Sequence, residues 1–160
     1  MKYYVWLLVA ALLLVPPFSS DLGQKKGDVD LAQGTWVVVS VEADGKPLDK
    51  DELERIKVWD LVISDNKVIV KIPPEQLNGK EAPTVTFKID PTTKPKSVDF
   101  QVQERGTEYN YKGIYSLEGD KLTVCVGVGE VAGKNSERPT DFATKENSKR
   151  GLAVFTRKVK

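Results

Sequence analysis

Short segments of alternating apolar and polar residues, separated by turn signals at fairly regular intervals, run from Gly34 to the end of the chain. Val85, Phe87 and Ile89 fall on one face of a strand, with Thr84, Thr86 and Lys88 on the other. Val98, Phe100 and Val102 oppose Asp99, Gln101 and Gln103; further on, Leu122, Val124 and Val126 oppose Thr123, Cys125 and Gly127. Strands with one apolar and one polar face belong to an antiparallel sheet that is dry on one side. The pattern predicts eight strands, at 35–42, 58–64, 67–72, 84–90, 97–104, 109–117, 121–128 and 152–158. Asp65-Asn66 and Glu118-Gly119-Asp120 mark tight hairpins. One helix is predicted, at 49–55 after the first strand, acidic at its start and basic at its end. A meander of eight strands is most economically closed on itself, which removes its edges. The expected fold is therefore all-β, a single antiparallel barrel of about eight strands with one short helix.

The two ends of the strand series carry a matching pair. Gly34-Thr35-Trp36 opens the first strand and Arg157 lies on the last, so closure would bring a guanidinium over an indole face. Such a contact supplies about 0.5 to 2 kcal/mol without any ligand, and barrel closure is the expected role of Gly34, Trp36 and Arg157. Ahead of the domain, Met1-Lys2 gives a basic start, the thirteen residues 3–15 are uninterrupted by charge, and Pro16-Pro17 breaks the run. That length suits a signal peptide over residues 1–20, or failing cleavage an N-terminal anchor. A Gly/Lys/Asp-rich tether at 21–30 leads into the domain at 31–160. The chain is expected outside the cytoplasm, periplasmic or secreted.

Charge narrows the partners. Lys and Arg total 24 against 23 Asp and Glu, and setting aside the leader, which carries only Lys2, leaves 23 of each. A domain near neutrality has no bulk attraction for nucleic acid or for an anionic membrane, so neither is expected as a partner beyond the leader's own membrane contact. The 160 residues contain no His, which rules out Ser-His-Asp and Cys-His nucleophiles and His-based metal sites. Asp49, Asp51 and Glu52 sit on an acidic helix start and lack the glycine and terminal glutamate of a calcium loop. Gly127-x-Gly129 ends a strand with no helix to follow, unlike a phosphate loop. The expectation is no catalytic residue, no metal and no cofactor. Cys125, the single cysteine, reads as a small buried hydrophobe within a strand.

Three groups of residues are candidates for a ligand site. Tyr109, Tyr111 and Tyr115 share a strand face with Gly113, and hydroxyl-tipped aromatics at period two line a cup or form an ordinary core or outer girdle. Phe87 and Phe100 point into the barrel, where with Val85, Val102 and Phe142 they either enclose a cavity or fill it. Arg138, held by Pro139, could bind a carboxylate or phosphate on a ligand, or pair with Asp141 while Phe142 plugs the barrel.

Several separate motifs carry a resemblance. Residues 31–40 followed by Asp44-Gly45-Lys46-Pro47, then Asp90-Pro91-Thr92-Thr93-Lys94-Pro95-Lys96, Gly113-Ile114-Tyr115 with Gly119-Asp120-Lys121-Leu122, and Arg138-Pro139-Thr140-Asp141-Phe142 resemble an uncharacterised lipocalin-like domain family abundant in planctomycete bacteria. The resemblance spans about residues 31–158 and departs from the family at 128–134, a longer, glycine-rich stretch where a compact loop is the family's pattern. It implies a lipocalin-like barrel and no enzymatic activity. In the wider lipocalin fold a Gly-x-Trp on the first strand and an Arg on the last close one end. The expected function is binding of a small, partly apolar ligand; the alternative is a non-catalytic module with a filled barrel that meets a protein partner through an outer face or the 129–150 stretch.

Overall fold

The computed structural model describes residues 27–104, 106–127 and 137–159. The leader at 1–20, residues 21–26 of the tether, and the glycine-rich stretch at 128–134 lie outside the described residues. The first element of the described residues is a short helix, α1 (Asp28–Ala32). Strand β1 (Gly34–Ala43), a two-residue strand β2 (Lys46–Pro47) and helix α2 (Lys50–Lys57) follow. Then come β3 (Asp60–Ser64), β4 (Lys67–Lys71), helix α3 (Pro74–Leu77), β5 (Thr84–Asp90), β6 (Lys96–Glu104), β7 (Thr107–Glu118), β8 (Lys121–Gly127) and β9 (Arg150–Arg157). Strands β1 and β3 to β9 each pair antiparallel with the next, and β9 returns to β1. The expected eight-stranded antiparallel barrel is present, closed, and lipocalin-like in architecture. Strand β2 is an addition that pairs only with the end of β1.

Strand β1 serves two neighbours by bending. Its first residues, Gly34 to Trp36, pair with β3. From Trp36↔Arg157 to Ala43↔Gly151 it pairs with β9, with a register shift between Val38 and Ser40. A bulge of this kind sharpens the local twist and re-aims the strand. The turn after it needs glycine twice over: Gly45 sits at φ +78, and a Cβ there would meet the Glu146 backbone nitrogen at 2.9 Å.

Helix α2 starts where its caps place it. The Asp49 carboxylate accepts from the Asp51 backbone N–H at 2.9 Å, Asp51 and Glu52 lie in the first turn, and Arg55 and Lys57 in the last. Helices α1 and α3 were not expected. At five and four residues they are too short to show a period of 3.6, and Asn78, at φ 50, stops α3 at once. The Trp59 indole N–H donates to Gln76 Oε1 at 2.7 Å, and Gln76 Nε2 donates to the Arg55 carbonyl at 3.3 Å. Those two bonds tie α3 to the end of α2.

The inner face carries a core of Trp36, Ile63, Val98, Tyr115 and Leu122. The outer face is not wholly wet, contrary to the simple alternation. Ile114 and Cys125 pair across β7 and β8, on the side opposite the inward Tyr115 and Val124, yet they are only 1% and 0% exposed. The segment at 137–149 is strapped over this region. Arg138 donates to the carbonyls of Val98 (3.1 Å) and Gly113 (2.6 Å) and to the Asp99 carboxylate (2.6 Å). Pro139 is fully buried. Farther along, Thr144 donates to Glu42, Asp141 accepts from Arg150 at 3.0 Å, and the Lys149 N–H donates to Asp44 at 2.6 Å. Burial pushes the Cys125 thiol above its usual pKa.

Gly113 is squeezed between these layers. A Cβ at this position would lie 2.7 Å from the Cys125 carbonyl oxygen and 2.9 Å from Val126 Cγ1, and a backbone oxygen cannot move aside cheaply. Gly113→Ala should therefore destabilise the domain by about 1 to 3 kcal/mol, read as a lower midpoint in chemical denaturation; an unchanged midpoint would show that the β7–β8 ladder has slack there.

Candidate functional site

The closed end of the barrel is built on Arg157. Its guanidinium carbon lies 4.3 Å from the centre of the Trp36 ring. Its nitrogens donate to the carbonyls of Gln33 (2.6 Å) and Leu31 (2.7 Å) and to the Asp120 carboxylate (2.9 Å). One side chain thus joins β9, the end of α1 and the β7–β8 turn over the indole of β1. Gly34 is required beneath it: its φ is +123, and a Cβ would come within 3.0 Å of Arg157 Nη1. Trp36 is fully buried and its indole N–H donates to the Ala32 carbonyl at 2.8 Å. Gly34, Trp36 and Arg157 therefore meet as one structural unit.

Above this plug the barrel is hollow. A partly enclosed cavity of about 370 Å³ runs from Asp28, Ala32 and Trp36 toward the far end, where Ala43, Gly151 and Val126 meet. Small residues make the room: Ala43, Gly151 and Ala153 occupy wall positions where larger side chains would close the space. Among the described residues, two charged ones, Asp28 and Glu42, belong to the wall. The Glu42 carboxylate is engaged by Thr144 from the outer strap.

A polar cluster stands at the α1 end of the cavity, while the surface facing the space is almost wholly apolar. Asp28 Oδ2 accepts from the Tyr115 hydroxyl at 2.8 Å and from Lys96 Nζ at 2.7 Å. Lys96 Nζ also stands 5.9 Å from the Tyr115 ring centre. Burial, and after it the hydrogen bond to Asp28, push the Tyr115 hydroxyl far above the ordinary tyrosine pKa. It stays protonated, with its proton directed at Asp28.

The candidate residues separate clearly. Tyr115, Phe87 and Phe100 are on the cavity wall, as is Val85; the two phenylalanine rings pack at 6.4 Å, tilted by 51°. Tyr109 and Tyr111 stack on each other at 6.4 Å and 17° and are not among the wall residues, and neither are Val102 and Phe142. Arg138 is on the outer face, bound to two backbone carbonyls and Asp99. Its partner is not Asp141, which Arg150 takes instead. The residue that the sequence reading passed over is Asp28. Its place in a polar tether hid it, and the one available signal was the Gly27-Asp28-Val29-Asp30 helix start.

Among the described residues, no cluster of His, Cys, Asp and Glu is arranged to hold a metal ion, and no helix is long and apolar enough to cross a membrane. No family model, curated protein or solved structure matches the chain.

Two outcomes follow from this geometry. Arg157→Lys keeps the charge and loses the planar fork that reaches two carbonyls and a carboxylate together, so stability should fall by on the order of 2 kcal/mol, measured as a lower thermal midpoint. Tyr115 gives a pH signature. Its pKa is raised by folding, so its contribution is complete below the ordinary tyrosine value of about 10 and is lost as the pH rises beyond it. The native chain should therefore lose thermal stability above about pH 10 more steeply than Tyr115→Phe; parallel pH profiles would remove Tyr115 as the cause.

Proposed function

We propose that the protein is a carrier that holds a small, largely apolar molecule inside its barrel. The observation that carries this reading is the hollow interior. The space of about 370 Å³ is partly open and its lining is almost wholly apolar, with Ala43, Gly151 and Ala153 at wall positions. Apolar surface left facing water is unfavourable, and an occupant that covers it removes that contact. An apolar cavity of about 150 Å³ takes benzene, so this one suits a molecule roughly twice that size, such as a medium-length acyl chain or a two-ring compound.

The motifs at residues 31–47, 90–96, 113–122 and 138–142 support placing the chain with the lipocalin-like domains of planctomycetes. The apolar run at 3–15 supports export, so that the carrier works outside the cytoplasm. Both parts of the proposal rest on sequence alone. A carrier also needs none of the His-activated nucleophiles or His-based metal sites that a chain without His cannot build.

The test is titration with the uncharged dye N-phenyl-1-naphthylamine, alongside native mass spectrometry of protein purified from its own host. Saturable fluorescence enhancement with one dye per chain is expected, and it should weaken at least about tenfold in Val85→Trp/Ala153→Phe, which puts two rings into the cavity from wall positions. Equal enhancement in the filled variant, or no enhancement in the native chain together with a consistently empty mass spectrum, would overturn carriage in the interior.

A further inference from the structure

On the premise that the barrel is a carrier, its occupant must enter, and the ladders differ in how firmly they close the wall. Strands β4 and β5 pair at three positions, Lys67↔Thr86, Val68↔Val85 and Ile69↔Thr84. The β1–β3 ladder is equally short, from Gly34↔Ile63 to Trp36↔Leu61. The other ladders are longer, and that of β6 and β7 runs from Lys96↔Tyr115 to Glu104↔Thr107. The β3–β4 hairpin is thus joined to the rest of the barrel by its two shortest seams, with α2 leading into it and α3 out of it. The bonds among Arg55, Trp59 and Gln76 tie the two helices together, so the stretch from Lys50 to Leu77 forms one unit.

The unit is anchored at its hairpin turn. There Gln33 Nε2 donates to the Asp65 carbonyl at 3.1 Å, and Gln33 Oε1 accepts from the Asp65 N–H at 2.7 Å. Beside them the Phe87 N–H donates to the Asn66 carbonyl at 2.8 Å. The β1–β3 seam has a further tie, since Lys158 Nζ donates to the Asp60 carboxylate at 2.7 Å. Away from the turn the β4–β5 seam stops at Ile69↔Thr84, and the chain leaves α3 through two left-handed residues, Asn78 (φ 50) and Gly79 (φ 75). The cavity reaches farther than the seam. Val68 and Val85, its middle pair, are both wall residues, and so is Val70, which lies beyond the last pair. Parting this seam from its α3 end opens the cavity directly and breaks fewer ladder bonds than parting β5 from β6 or β6 from β7. We propose that the β4–β5 seam is the door of the carrier: the occupant passes through the side of the barrel as the 50–77 unit swings on the anchored Asp65-Asn66 turn.

A cross-link over the seam tests this. Asn66 and Phe87 form a hydrogen-bonded pair, so by alternation Ile69↔Thr84 is a non-hydrogen-bonded one, with about 4.5 Å between Cα atoms, a separation that a disulfide spans. Both side chains are exposed, while Cys125 is fully buried. The experiment is stopped-flow mixing of N-phenyl-1-naphthylamine with Ile69→Cys/Thr84→Cys, oxidised and then reduced. The oxidised form should bind and release the dye at least about tenfold more slowly. The factor should be the same in both directions, leaving Kd within about twofold of the native value, and reduction should restore the native rates. Lys67→Cys/Thr86→Cys, beside the anchored turn, should slow exchange less, which separates a door from general stiffening of the barrel.

The outcomes separate the two levels of the reading. Native exchange rates in the oxidised Ile69→Cys/Thr84→Cys chain, or equal slowing by the two cross-links, would overturn the side door and leave carriage standing. If the cross-links do not form, amide hydrogen exchange of the native chain decides. The Val68 and Val85 N–H groups, which bridge the seam, should exchange at least about tenfold faster than those of Val98 and Phe100 in the β6–β7 ladder; equal protection would overturn the door. Absence of any dye binding by the native chain would remove carriage, and the inference with it.

Discussion

The contact between Arg157 and Trp36 fixes where everything else can be. A β-ladder closes a barrel sideways and leaves its ends open, and backbone pairing between β1 and β9 does not by itself seal anything. The seal comes from a side chain that reaches three elements at once: the carbonyls at the end of α1, the Asp120 carboxylate in the β7–β8 turn, and the indole face of β1. A guanidinium is suited to this because its donors lie in one plane, so it satisfies acceptors at its edge while its face rests on an aromatic ring. With α1 held over the end, Ala32 is buried and Asp28 is delivered to Tyr115 and Lys96. The floor of the cavity is a consequence of that delivery.

Trp36, Tyr115, Leu122 and Val98 are buried in one core cluster and also form part of the cavity wall. Farther along the same wall stand the small residues Ala43, Gly151 and Ala153. The inner face thus serves as core and as cavity lining at once. Strand β7 shows the cost of serving both sides. Its Gly113-Ile114-Tyr115 run is buried throughout, because Tyr115 faces the cavity floor while Ile114 lies under the outer strap. A strand covered on both faces loses its alternation and reads as a continuous apolar stretch.

That is also why some of the molecule could be read from its sequence and some could not. Strands β5 and β6 alternate cleanly, since one face is inside and the other wet, and the positions of Phe87 and Phe100 on the cavity wall follow directly from period two. The pairing of Trp36 with Arg157 was legible because aromatic and cation sit at the two ends of the strand series. Asp28 was not, because a helix of five residues has no periodicity to announce it. The stripe of Tyr109, Tyr111 and Tyr115 has one parity, and parity gives the face but not the depth: only Tyr115 reaches the cavity. The outer strap was hidden for another reason. Its composition is polar, and what holds it includes bonds from Arg138 and Thr144 to Asp99 and Glu42, partners distant in sequence.

Three of the described arginines hold the barrel together, and none of the three belongs to the described cavity wall. Arg157 binds carbonyls at the closed end, Arg138 binds carbonyls on the outer face, and Arg150 holds Asp141 of the strap. Each of these guanidiniums answers a structural need, since unpaired carbonyls at a helix end, and a long segment laid across a sheet, both require donors. Lys96 is joined to Asp28. With these cations engaged in architecture, the described cavity wall is almost wholly apolar and carries charge only at Asp28 and Glu42. The contacts that close and strap the barrel are thus the same ones that hold these cations off its inner wall.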